Sequence, residues 1–279
     1  VKVQGHVLAF TRGCYVCPFS TDRLVDFFDY DNFFKENPDL IVCGEIAGPE
    51  NPYNGESPPY VTEDVSFFAF DIRIKNSDRQ IPMEKRYKLF DEYKIPTVKR
   101  FGKFIPSDIK DIKKYIQDLN EKGCEGLVFK PTEPSEKTVK YVTAGSCMRD
   151  MKVTSQLMTE YQAEFFTNRM LRSLFYLVEH DLPLNKGFLE KAGEALLQPL
   201  YESVKKVAGG EMITERFKMR FNKEENIKKL FDHFHKCKVD ASLVRQEKIG
   251  QYWHVEYIRR CFPSYEMLQK HWDGHSHFD

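Results

Sequence analysis

Nowhere do the 279 residues approach the ~18 consecutive apolar residues that a membrane-spanning helix needs, so a soluble protein is expected. An excess of charge of one sign is also missing. Forty-two basic residues balance 42 acidic ones, which excludes a globally polycationic nucleic-acid binder and confines any polyanion site to a local patch. Cysteine is sparse and odd in number, seven in all, too few and too scattered for the framework of a small secreted domain, so a reducing, cytoplasmic setting is expected. No signal peptide is expected, and no internal repeat or low-complexity tract is read along these residues. The chain opens without methionine on VKVQGHVLAF, with Val1, Val3 and Val7 in a strand-like setting, and is expected to be the remainder of a longer protein.

What is there is material for a sizeable core: 41% hydrophobic residues, with 23 Phe and 14 Tyr. At this length two or three domains are expected. Up to about Thr143 short apolar runs (HVLAF, LIVCGEI, VSFFAFDI, EGLVFK, TVKYVT) alternate with Pro, Gly, Asn and Asp. Two segments break this texture with helical spacing, IPMEKRYKLFDEY and PSDIKDIKKYIQDLNEKG, the second with Ser107 as expected N-cap and Gly123 as its stop. Beyond Ser146 the three-to-four spacing of amphipathic helices takes over, broken best at AGGEM, Ala208 to Met212, with further helices expected near Ile227–Lys238 and Tyr252–Phe262. The predicted fold class is α+β: an antiparallel-sheet domain at 1–145, then mostly helical domains at 146–210 and 211–279.

Four patterns in the first half carry chemical possibilities. In CGEIAGPENPY an apolar strand delivers Glu45 among glycines and prolines, where a carboxylate can approach a ribose hydroxyl or a metal; a solvated turn glutamate reads equally well. In VSFFAFDI the period of two puts Phe68 and Phe70 on one face and Phe67 and Ala69 on the other. Phe70 can then stack on a nucleobase, although taken alone the pattern reads more simply as a buried strand. CEGLVFKP places Glu125 at a strand entrance with Val128 and Lys130 on one face, and Lys137 and Lys140 follow as further cations, which either line a phosphate site or reach into water. FTRGCYVCPF sets Arg12 just before a glycine turn, where its guanidinium can fork onto phosphate or ribose oxygens. Its Cys14-x-x-Cys17 pair lacks the second ligand pair that a structural zinc requires.

Taken in order, TRGCYVCPFSTDR, CGEIAGPENPY, FFAFDI, EGLVFKP and KYVT resemble nucleotidyltransferase motifs Ia, III, IIIa, IV and V of the covalent ligases, in particular the archaeal-type ATP-dependent RNA ligase family. The resemblance covers roughly Val1 to Thr143 and implies a homodimer that joins an RNA 5′-phosphate to a 3′-hydroxyl through lysyl-AMP and RNA-adenylate intermediates, using ATP and Mg²⁺ or Mn²⁺. It further implies that Phe70 and Val128 sandwich the adenine and that Glu45 and Arg12 contact the ribose. By the same match Glu125 helps hold the divalent cation, and Lys130 and Lys140 neutralise the α-phosphate.

Two departures accompany the match. No KxDG, the nucleophile's motif, occurs in the chain, and Lys2 lies in the strand that follows it in the family, so self-adenylylation is not expected; the chain is expected to be limited to binding adenylate and RNA or to sealing an already adenylylated end, and a fragment that folds only with the missing segment fits equally. Cys14 stands where the family usually has glycine. Nicked DNA or an RNA cap as substrate, and a non-catalytic RNA-end-binding or dimerisation module, are the competing readings.

Farther along, His233, His235 and Cys237 of DHFHKC are expected to fan around a helix, and His271, His275 and His277 to lie in a polar tail. The stripe Phe165, Phe166, Met170, Leu174, Phe175 and Leu177 reads either as a dimer seam or as core. Clusters such as Lys228–Lys229 and Arg259–Arg260 read as solvated faces, with contact to an RNA backbone as the alternative.

Overall fold

The computed structural model describes residues 1–53, 57–77, 79, 81–132 and 137–275, and His277 lies outside them. In chain order come β1 (Lys2–Val3), β2 (His6–Val7), α1 (Pro18–Arg23), α2 (Tyr30–Glu36), β3 (Leu40–Ala47), β4 (Ser66–Ile74), α3 (Met83–Glu92), α4 (Ile109–Glu121), β5 (Gly126–Phe129) and β6 (Val139–Val142). The second half adds α5 (Ala144–Thr154), α6 (Ala163–Glu179), α7 (Lys186–Ala208), β7 (Thr214–Phe221), α8 (Glu224–Lys236), β8 (Ala241–Ile249), β9 (Tyr252–Arg260) and α9 (Phe262–Trp272). Among the described residues these strands pair antiparallel, β1 with β2, β3 with β4, β5 with β6, and a three-stranded sheet in the order β7-β9-β8, while Ala69 of β4 makes one parallel bridge to Thr97. The fold class is α+β, as the sequence implies.

Two local expectations fail. The segment expected as a helix at Tyr252–Phe262 is the strand β9 as far as Arg260, because Val255 and Tyr257 point with Phe217 and Met219 into one core while Glu256 between them points away. The helical reading of 211–279 is therefore corrected to a sheet with two helices. Ser107 is not the cap of α4: a short 3-10 turn at Pro106–Asp108 precedes the helix, and the Asp108 carboxylate accepts the Ile105 N–H at 2.9 Å. Gly123, by contrast, ends that helix as expected, at φ +65°, and Gly210 at φ +74° follows the end of α7.

The core beneath β3 and β4 is aromatic, with Phe33 and Phe34 of α2, Phe67, Ala69 and Ile72 of β4, and Phe90 of α3. A second core joins the two ends of the chain: Cys17, just ahead of α1, and Phe19 within it pack with Phe217 and Met219 of β7 and Leu230 and Phe234 of α8. The polar groups at that junction are matched. Asp22 accepts the N–H groups of Asn222 (2.6 Å) and Lys223 (3.1 Å) at the start of α8, and Arg23, 1% exposed, forks onto Asp64 at 2.7 and 2.8 Å. Burial dominates at Asp22, so its pKa is raised despite these bonds.

In the helical middle, Pro199 sits inside α7 and cannot donate to the carbonyl four residues back. The buried Ser155 hydroxyl takes its place, donating to Ala195 O at 3.0 Å. The Phe/Leu stripe divides. Phe166 and Leu177 are core, whereas Met170, Leu174 and Phe175 lie exposed on α6 beside Leu171 and Val178.

Candidate active site

Local pairing builds the site. Glu45 pairs with Phe68 across β3 and β4, so the two side chains share the face that also carries Phe70. A register shift between Cys43 and Gly44 precedes Glu45. Gly44 has to be glycine there, since a Cβ would run into the Phe67 ring and the Phe68 carbonyl. Alternation along β4 buries Phe67 (9% exposed) and Ala69 (0%) and leaves Phe70 43% exposed, an aromatic surface available to a ligand.

The β5/β6 hairpin supplies the opposite side. Val128, 54% exposed, pairs with Lys140, while Leu127 pairs with Tyr141 and points inward. Gly126, at φ +149°, lets the strands close up, because a Cβ there would meet the Tyr141 carbonyl. Lys140 forms an ion pair with Glu125 just ahead of the hairpin. Lys130 reaches back to β4: its ammonium donates to Phe70 O at 2.8 Å, lies 5.4 Å from the centre of the Phe70 ring and 3.7 Å from Asp71. The end of β6 is anchored by Thr143, which caps α5 and donates to Cys124 O at 2.7 Å.

Electrostatics link these parts. Burial, and next the negative charge of Glu125, push the Glu45 pKa up, with Lys140 opposing. Burial lowers the Lys130 pKa, partly offset by Asp71 and reinforced by Arg86. Two neighbouring carboxylates under mutual repulsion, flanked by lysines, suit a divalent cation that takes its remaining ligands from substrate phosphates and water, the usual Mg²⁺ arrangement. No cluster of three or more His, Cys, Asp or Glu forms a self-sufficient metal site among the described residues. The exposed Phe70 ring with cations beside it likewise suits an adenine nucleotide.

Six of the seven sequence-derived residues are thus joined through a chain of contacts and coupled charges. Arg12 lies on an exposed turn closed by Thr11 N–H to Tyr15 O at 2.8 Å, and among the described residues it makes no hydrogen bond or ion pair to the other six. Cys14 occupies the left-handed region at φ +63°, so the turn keeps the backbone that glycine would favour.

The sequence reading missed Asp71, Arg86 and Tyr60. Arg86, 6% exposed on α3, forms an ion pair with Asp71 and so stands behind Lys130, and its Nε is buried without a partner. Tyr60 meets Phe68 edge-on at 5.7 Å, and its pKa is raised by burial and then by Cys124, Glu125 and Glu45. Arg86 lies 15 residues from Asp71, so no local pattern announces the pair. The aspartate directly after Phe70 in FFAFDI was the available signal.

Elsewhere, Cys17 is buried and bonded to Ser20 Oγ (3.0 Å) and Tyr53 OH (3.2 Å), serving as the cap of α1. His233 and Cys237 do not fan apart, since one turn of α8 brings Nε2 and Sγ to 3.7 Å.

Residues 1–142 match the family model described as RNA ligase. The chain belongs to the RNA ligase family. Residues 153–275 match the model described as Ligase Pab1020 C-terminal region. Two forms of an archaeal ATP-dependent RNA ligase superpose with TM-scores of 0.87 and 0.88, each at 27% identity over 98% of this chain and 72% of theirs. These matches place this RNA ligase family member with the archaeal type. An Aquifex aeolicus protein provisionally described as an ATP-dependent DNA ligase superposes with a TM-score of 0.91 at 34% identity, over 99% of this chain and 77% of its own. An uncharacterized protein of Methanocaldococcus jannaschii is 30% identical over 259 residues, 89% of this chain; the chain spans 64% of that relative's length.

Proposed function

We propose that this chain carries the adenylate- and end-binding part of an ATP-dependent RNA ligase that joins RNA 5′-phosphate and 3′-hydroxyl ends. The observation that supports it is the contiguous surface of Glu45, Phe70, Glu125, Val128, Lys130 and Lys140, assembled from four strands and their flanks. ATP brings the adenylyl group, and Mg²⁺ or Mn²⁺ neutralises phosphate charge. Phe70 and Val128 hold the adenine between an aromatic and an aliphatic surface, and Glu45 with Arg12 takes the ribose. Lys130 and Lys140 counter the charge that builds on the phosphate oxygens, the chief need of displacement at phosphorus. Glu125 orients Lys140 and offers an oxygen to the cation.

With no KxDG in the 279 residues, the step these groups serve is the last. The 3′-oxygen bonds to the adenylylated 5′-phosphorus, the bond to AMP breaks, AMP leaves with the bridging oxygen, and the hydroxyl proton passes to solvent. Our reading divides the chain at 1–145, 146–210 and 211–279 into nucleotidyltransferase, dimerisation and C-terminal parts. The exposed apolar face of α6 (Leu171, Leu174, Phe175, Val178) supports pairing of two copies there, and seven free cysteines fit a cytoplasmic site of action.

The test is to incubate the chain with Mg²⁺, without ATP, and with a 5′-adenylylated RNA carrying a free 3′-hydroxyl. A sealed product is expected, and Glu125→Ala is expected to abolish it while leaving the melt intact. A folded chain that yields no product overturns the sealing role. The Aquifex relative favours DNA ends as the second reading, which competition between DNA and RNA ends decides.

A further inference from the structure

The C-terminal sheet has two unlike faces. One packs Phe217, Met219 and Phe221 of β7 against α8 and α1. The other carries Arg216, Lys218 and Arg220 at successive outward positions of β7, with Ile258, Glu256 and His254 of β9 opposite them and Ser242, Arg245 and Glu247 of β8 beyond. Arg216, Lys218 and Arg245 are exposed. The pairs on this face, Arg216 with Glu256 at 2.9 Å and Arg245 with Glu247, are solvent-facing contacts that a phosphate can replace. Lys218 makes no ion pair among the described residues.

Along the β7 edge runs a cleft of about 400 Å³, with Glu50, Thr62 and Glu63 on one wall and the three cations on the other. Arg220 bonds Glu50 at 2.6 Å and lies 3.7 Å from Asp64, yet Arg220 Nε and Glu50 Oε2 are both buried without partners, so the pair is incompletely satisfied. Glu50 is five residues beyond Glu45, which places their Cα atoms within about 18 Å of each other.

We infer that this cleft and the adjoining face of β7 form the track for the sugar–phosphate backbone of the nucleic-acid strand extending from the joining site. The inference rests on the ligase reading above. Cations two residues apart on a strand stand about 6.8 Å apart, in a line that an extended backbone can follow phosphate by phosphate. Thr62 and Glu63 across the cleft can accept from ribose hydroxyls. An acidic protein partner would not require that linear spacing, and the cleft's proximity to Glu45 favours the substrate strand itself.

The experiment measures binding of a fluorescent single-stranded RNA with a 5′-phosphate, by anisotropy across a salt series. Arg216→Glu with Lys218→Glu should weaken binding at least tenfold and reduce the slope of log K against log salt by about 1.4, for two lost phosphate contacts. Lys228→Glu with Lys229→Glu is the charge-matched control on α8, which packs on the opposite face of the sheet, and should leave both quantities near wild type. Unchanged affinity and slope in the Arg216→Glu, Lys218→Glu variant, or an equal loss in the α8 control, overturns the track. AMP titrated in parallel separates this inference from the reading beneath it: a wild-type chain that binds AMP but no RNA overturns the track alone.

Discussion

Phe67 and Phe70 lie three residues apart on one strand, and the structure assigns them opposite consequences on truncation. Phe67 is 9% exposed and stacks on both Phe27 and Phe28, with ring centres at 5.7 and 6.1 Å. Replacing it by alanine removes a fully enclosed aromatic and should cost ~3–5 kcal/mol of folding stability. Phe70 is 43% exposed, with Lys130 over its ring, so its loss costs the fold much less. Its face is instead the surface offered to the adenine, and base–aromatic stacking is worth ~1–3 kcal/mol, a weakening of roughly 5- to 150-fold in Kd. Calorimetric titration with AMP and urea melts of both variants make the comparison. Phe70→Ala should lose AMP affinity with a nearly unchanged melt, while Phe67→Ala should lose stability. A Phe70→Ala chain that binds AMP like wild type, or that melts as early as Phe67→Ala, refutes the assignment and returns Phe70 to the core.

Glu45 should make stability depend on pH. Its folded pKa is raised above the unfolded value, so its contribution is present below the ordinary carboxylate range and is lost as pH rises through the folded pKa. Glu45→Gln should therefore raise Tm more at pH 7 than at pH 4, and an equal change at both would contradict the burial and repulsion invoked. Gly44→Ala should cost ~1–3 kcal/mol through collision with the Phe67 ring and the Phe68 carbonyl, read in a urea melt. Ser155→Ala should cost ~1–3 kcal/mol by stranding the buried Ala195 carbonyl, and adding Pro199→Ala should restore much of it, because the helix regains its own donor. If the double variant melts no later than Ser155→Ala, the hydroxyl is not compensating for the proline.

Much of the first half was legible because its strands end in glycine or proline and its faces alternate cleanly, so the sharing of a face by Phe68 and Phe70, and by Val128 and Lys130, follows from parity alone. Those same residues also carried the family's motifs in order. Tyr252–Phe262 was misread because the nine-residue strand within it, with Tyr252, Val255, Glu256 and Arg259, also fits a helical spacing. The better signal was the strict alternation of TERFKMRF, with Phe217, Met219 and Phe221 set between Arg216, Lys218 and Arg220. Arg86 behind Asp71 is a tertiary fact: a buried arginine on an otherwise ordinary helix has no local signature. Ser155 is similar, since its role depends on a proline 44 residues later.

The core shared by α1 and the C-terminal sheet has a consequence for synthesis. Asp22 and the backbone it caps at Asn222 are 200 residues apart, so α1 must wait until those 200 residues have been made before its apolar side is covered. At ~5–20 residues per second that delay is ~10–40 s, during which Cys17 and Phe19 stay open to solvent or to a chaperone. The turn carrying Arg12 directly precedes that helix, so its supporting core is completed only once β7, α8 and β9 have been made.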